Sequence, residues 1–127
     1  MKPLFDKAKY LLQCLEGTHQ ALKEIHWSTD NHSKHILTDD IDKGVLEFED
    51  ALAEVVMGKL GEKFGKGDLK TMLPDASDLS GILKELEKDV NEFEESIGGE
   101  HGFGGVYNVV DDFLSNINKW QYLETLS

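Results

Sequence analysis

Residues 35–54 read HILTDDIDKGVLEFEDALAE, and the spacing inside this stretch decides the fold class. Leu37, Ile41, Val45, Phe48, Leu52 and Val55 recur at steps of four, four, three, four and three, the period of a helix with one buried stripe. On the same helix His35 and Asp39 are four apart, as are Asp50 and Glu54. At about 100° per residue these four fall within a sector of roughly 100°. That sector lies nearly opposite the apolar stripe. With the stripe turned to the chain's own core, the histidine and the carboxylates point out of the subunit, which disfavours a di-metal site in the interior of one bundle.

The two pairs cannot share an ion within one helix. Their midpoints lie 15 residues apart, about 22 Å at about 1.5 Å per residue. A second copy can join them. In an antiparallel pair of identical helices about a two-fold axis, opposed residues have numbers of constant sum, and 35 with 54 and 39 with 50 both give 89. His35 and Asp39 of one chain then meet Glu54 and Asp50 of the other, twice over, as an isologous contact requires. A solvated acidic helix face remains the alternative reading of the same residues.

Working outward, the rest of the chain supplies three more helices. The first is expected from Pro3 to Trp27, with Leu4, Ala8, Leu11, Leu15, Leu22 and His26 on one face. Glu16 and His19 have the Glu-x-x-His spacing of bundle di-iron sites, but no second copy of it occurs, and it reads as coincidence. Ser28 to Ser33 is polar and rich in capping residues, so the chain reverses there and brings His26 beside His35. The second helix is expected to run to Lys63. A linker from Phe64 to Asp75 follows, long enough at about 40 Å extended to run the length of a bundle as a crossover. The third helix, Ser77 to Ile97, carries Leu79, Ile82, Leu83, Leu86, Val90, Phe93 and Ile97 as its stripe. The glycine-rich run Gly98 to Gly105 is a helix stop and turn with no preceding strand, so it is not a phosphate-binding loop. The fourth helix, Val106 to Leu126, buries Val106, Val110, Phe113, Leu114, Ile117 and Trp120. The expected fold is therefore a single all-α domain over residues 1–127, an antiparallel four-helix bundle with a crossover between helices 2 and 3.

Composition narrows the function classes. At 127 residues with 39% hydrophobic and 30% charged content, the chain can bury a real core. No stretch reaches 18 uninterrupted apolar residues and the start lacks a signal-peptide apolar region, so a cytoplasmic protein without membrane insertion is expected. Cys14 is the single cysteine, which excludes an intrachain disulfide and reads as core filler. A net charge of −12, without a Lys/Arg cluster, argues against binding the DNA backbone and for attracting cations.

Several motifs together resemble a known family. Ile25-His26-Trp27, then His35-x-x-x-Asp39, then Asp50-x-x-x-Glu54 eleven residues beyond Asp39, look like the signature of the Dps-type miniferritins of the ferritin-like superfamily. Asp111-Asp112-Phe113 and Lys119-Trp120-Gln121-Tyr122-Leu123 are similar, more weakly, to that family's final helix. The resemblance implies a ferritin-like bundle assembling as two-fold dimers, and by analogy a shell. It implies a ferroxidase site in which His26, His35 and Asp39 of one chain face Asp50 and Glu54 of the two-fold partner. It implies oxidation of Fe(II) by peroxide or dioxygen and storage of the Fe(III) formed. The sequence departs from the family in a shorter segment between His26 and His35, in the absence of a recognisable helix in the crossover, and in lacking a lysine-rich leading tail.

Two imidazoles and three carboxylates suit Fe(II), Mn(II) or Zn(II) better than Ca(II) or Mg(II), which favour all-oxygen shells. The same donors would serve a structural interface metal without turnover, and an acidic face could instead dock a protein partner with no metal at all. Trp27, beside the site, reads as an interface packing residue, and His32 and His101 as exposed loop or helix-start histidines.

Overall fold

The computed structural model describes residues 2–127, with side chains from Leu4 onward. It contains four helices, α1 (Lys2–Ser28), α2 (His32–Leu60), α3 (Leu79–Ile97) and α4 (Gly104–Glu124). Each end has a local cause. Asn31, in extended conformation, caps α2 by accepting a hydrogen bond from the Lys34 backbone N–H at 2.9 Å. Gly61 and Gly98 close α2 and α3 in the left-handed region at φ 69° and 65°, which a residue with a Cβ adopts only under strain. Helix α2 therefore ends at Leu60 instead of continuing to Lys63, because Gly61 diverts the chain first.

Helices α1 and α2 form an antiparallel hairpin, tied by Phe5 against Phe64 just beyond one end and His26 against His35 at the other. Helix α4 runs antiparallel to α2, with Trp120 over Gly44, Phe113 stacked on Phe48 and Gly105 against Val55. Helix α3 lies antiparallel to α1, where Asp89 neighbours both Tyr10 and Cys14, and antiparallel to α4, where Glu87 accepts from Gln121. Helix α1 packs on α2 and α3, and α4 packs on the same two, so α2 and α3 are diagonal and parallel. This is the expected all-α bundle with its crossover between the second and third helices. One continuous core holds it, from Leu11, Leu15 and Leu22 on α1 through Ile41, Val45 and Leu52 on α2 to Leu83, Val90, Val110 and Ile117. The buried stripe of α2 closes on Val56, and Val55 sits at its edge against α4.

The crossover, residues 61–78, holds no helix among its described residues. Phe64 stacks on Phe5 with ring centroids 4.3 Å apart. The strand of chain beyond it is stitched to α1 by Lys70 N–H donating to Gln13 Oε1 at 3.1 Å and Met72 N–H to the Gln13 carbonyl at 3.2 Å. The Met72 carbonyl passes so close to α1 that a Cβ on Gly17 would lie 1.7 Å from its oxygen. Beyond it, the backbone N–H groups of Asp75 and Ala76 donate to the Glu85 carboxylate at 3.0–3.1 Å. The linker thus crosses the outside of α1 from the α2 side to the α3 side.

Candidate metal centre

The α1–α2 turn brings two of the five expected ligands together. His26 lies in the last turns of α1 and His35 in the first turn of α2, and their rings stack with centroids 3.8 Å apart and planes 16° from parallel. Each ring is anchored by the other's backbone. His26 Nδ1 lies 2.7 Å from the His35 carbonyl oxygen, and His35 Nδ1 lies 2.7 Å from the His26 carbonyl oxygen. A carbonyl only accepts, so both Nδ1 atoms carry protons, and in a neutral ring Nε2 is then the lone-pair nitrogen. This is the arrangement in which a backbone carbonyl fixes the tautomer and aim of a metal-binding imidazole. Thr38, wholly buried on α2, donates its hydroxyl to the Lys34 and His35 carbonyls at 2.9 and 3.1 Å and stands 3.3 Å from His26 Nδ1.

The three expected carboxylates are exposed, outside the bundle. Asp39 lies one turn beyond His35 and meets Lys43 Nζ at 3.6 Å. Asp50 and Glu54 lie farther along α2, exposed on the same side. Asp50 and Glu54, about four turns and more along α2 from His35, do not reach the imidazoles of their own chain. Among the described residues, no group of three or more His, Cys, Asp or Glu side chains of one chain could hold a metal ion. A centre using all five residues therefore requires a second chain.

A different pairing of acids and histidine lies in the α1–α2 groove. His19 Nδ1 and Asp42 Oδ1 are 2.6 Å apart and half-buried, so the Glu-x-x-His spacing on α1 serves contacts between helices. Its other member, Glu16, shares a hydrogen bond with Glu49, and burial together with that neighbour pushes Glu49 up to about 8. The pairing of His19 with Asp42 has the same residue-number sum, 61, as that of His26 with His35. Extending the turn's register down the hairpin predicts it.

The remaining candidates sort by burial. Cys14 is buried, and desolvation first, then Asp89, raises its thiol to about 11, so it is packing and not a nucleophile at neutral pH. Trp27 is 70% exposed beside His26, with Lys23 Nζ 5.5 Å from its ring centroid. His32 and His101 are exposed at a helix start and in the glycine-rich turn. No described helix is long and apolar enough to cross a membrane.

A family profile matches residues 26–123, most of the chain and all five expected ligands. The chain belongs to the family of unknown function DUF5856. The matched stretch opens on His26, so it spans the turn that builds the imidazole pair, all of α2, the crossover and nearly all of α4. No curated protein and no solved structure matches this DUF5856 chain.

Proposed function

We propose that this DUF5856 protein is a ferroxidase that binds and oxidises Fe(II) at sites shared between two-fold related chains, in the manner of the Dps-type miniferritins its motifs resemble. The observation that carries this reading is the reciprocal anchoring of His26 and His35, each Nδ1 donating to the other's carbonyl. With each Nδ1 committed to a carbonyl, Nε2 is the nitrogen of each ring that can coordinate a metal, and Asp39, Asp50 and Glu54 are exposed along the helix that carries His35. The donor set fits the substrate: imidazole nitrogen and carboxylate oxygen together suit Fe(II), and Zn(II) or Mn(II) can stand in its place.

In this reading His35 and Asp39 of one chain would hold one ferrous ion together with Glu54 from the two-fold partner, and His26 with Asp50 from that partner would help to hold a second. Two Fe(II) each give one electron to peroxide, its O–O bond breaks, and with two protons it leaves as two waters. Dioxygen as oxidant would take the same two electrons and two protons and leave as peroxide. The acidic surface, net −12 per chain, draws the cation substrate in. Storage of the Fe(III) formed, and assembly of the dimers into a shell, belong to the same proposal.

The test is an anaerobic Fe(II) titration at known subunit concentration, followed by peroxide, with Fe(III) read by absorbance. Saturable binding at one or two irons per chain and rapid oxidation are expected. Both should vanish in Asp50→Ala/Glu54→Ala. Binding no greater than in that variant would sink the reading. Tight Zn(II) retention without peroxide consumption would replace it by a structural interface metal.

A further inference from the structure

We infer that the exposed face of α2 is a docking surface for a second copy of this chain that closes only around cations, so that association is switched by metal. The inference rests on the reading above for where the cations sit, and adds what controls assembly. Asp39, Glu47, Asp50 and Glu54 are exposed on this face, against Lys43 alone. In the antiparallel register whose opposed residues sum to 89, Asp39 faces Asp50 twice. Bare carboxylates brought together this way repel and lose hydration, and each chain contributes a net −12 to the encounter.

The apolar surface available in the same register is small. Ile36, 48% exposed, lies on the α4 edge of α2 beside Leu123 and Leu126. On the α1 edge Leu46 and Ala53 line a groove of about 310 Å³ with Met57, Phe64 and Leu69 and with the carboxylates of Glu16, Glu49 and Asp50. The crossover forms one wall of that groove, so its docking position beside α2 helps shape the surface. Leu46, 39% exposed, falls opposite the lysine stem of Lys43 near the two-fold axis. Stable protein interfaces bury on the order of 1,600 Å² in total. A strip with Ile36 and Leu46 as its exposed aliphatic residues, rimmed by like charges, does not hold two chains on apolar burial alone. Cations held by the anchored imidazoles and shared with the opposing Asp50 and Glu54 convert the repulsive contacts into attractive ones.

The experiment is sedimentation velocity of the intact chain in EDTA and with one to two equivalents of Zn(II), a redox-inert probe, or of Fe(II) anaerobically. Monomer at 14.3 kDa is expected in EDTA and at least twice that mass with metal. Charge-swap variants test the register without metal. Asp39→Lys or Asp50→Lys alone places lysine opposite aspartate at both contacts and should associate in EDTA, whereas the double variant opposes lysine to lysine and should not. Helicity by circular dichroism checks folding of each. A wild-type dimer in EDTA that still oxidises iron overturns metal-switched assembly and leaves the ferroxidase reading standing. Absence of iron binding overturns that reading, and the charge-swap result then still judges the docking surface. Single variants that stay monomeric in EDTA overturn the register.

Discussion

Gly44 shows what a single residue contributes to this bundle and how little of that is visible in a pattern. Within the stretch 35–54 it falls between the apolar stripe and the outer face, and helix propensity marks it only as a weak spot costing about 1 kcal/mol relative to alanine. In the fold it is the place where Trp120 of α4 lies on α2, and an added Cβ would stand 2.4 Å from the indole. Gly44→Ala therefore gains propensity and loses packing, because Trp120 is wedged between that backbone and Phe113, whose ring centroid is 5.7 Å away. The expected net effect is destabilisation of about 1–3 kcal/mol, read as a lowered midpoint in urea with an unchanged slope. A midpoint at or above the wild type would show that the indole moves aside freely. The imidazole pair was legible in part. Local reversal at 28–33 predicts that His26 and His35 are neighbours, but their exchange of Nδ1–H bonds with each other's carbonyl depends on ring rotation and helix separation, which no spacing encodes.

At the scale of the element, the stripes of α2, α3 and α4 were readable because each has one clean apolar face on a helical period. All seven stripe residues expected on α3 are buried. The crossover was readable only as a length. Its path is fixed by bonds to Gln13 and Glu85 and by the gap at Gly17, none of which leaves a periodic trace in residues 61–78. Gly17 looks like a flaw in α1 and is instead the groove in which the crossover lies. Gly17→Ala puts a methyl group into the Met72 carbonyl, and backbone cannot yield as a side chain tip does. The crossover should lift away locally while the four-helix core persists. The expected signature is faster amide exchange at Lys70 and Met72 with protection in α2 and α4 unchanged. Unchanged exchange at those two amides would mean that α1 itself shifts to make room.

At the scale of the molecule, two carboxyl pairs tie the helices together in a way that makes stability depend on pH. Glu16 and Glu49 join α1 to α2, with burial first and then Glu16, Asp50 and Asp42 raising Glu49 from 4.5 to about 8. Glu94 and Asp111 join α3 to α4, where the shared hydrogen bond, then burial, raise Glu94 from 4.5 to about 7. A carboxyl–carboxyl hydrogen bond exists only while one partner keeps its proton. Both groups have folded values above their unfolded ones, so between pH 4.5 and these values the folded chain binds more protons than the unfolded chain. Stability then falls as pH rises, across pH 4.5–8 for Glu49 and 4.5–7 for Glu94. The overall charge of −12 acts in the same direction, since deprotonation adds to self-repulsion. In chelator, the thermal midpoint should be higher at pH 5.5 than at pH 8. Glu49→Gln keeps a hydrogen-bond donor toward Glu16 without the charge, so it should raise the midpoint at pH 8 and flatten the profile. Glu94→Gln should raise the midpoint more weakly, by an amount that grows between pH 4.5 and about 7 and stays constant above it, because that pair is largely solvated and screened by salt. A midpoint that climbs from pH 5.5 to 8, or a Glu49→Gln profile as steep as the wild type, would remove the shared protons from the account and leave net charge alone to set the slope.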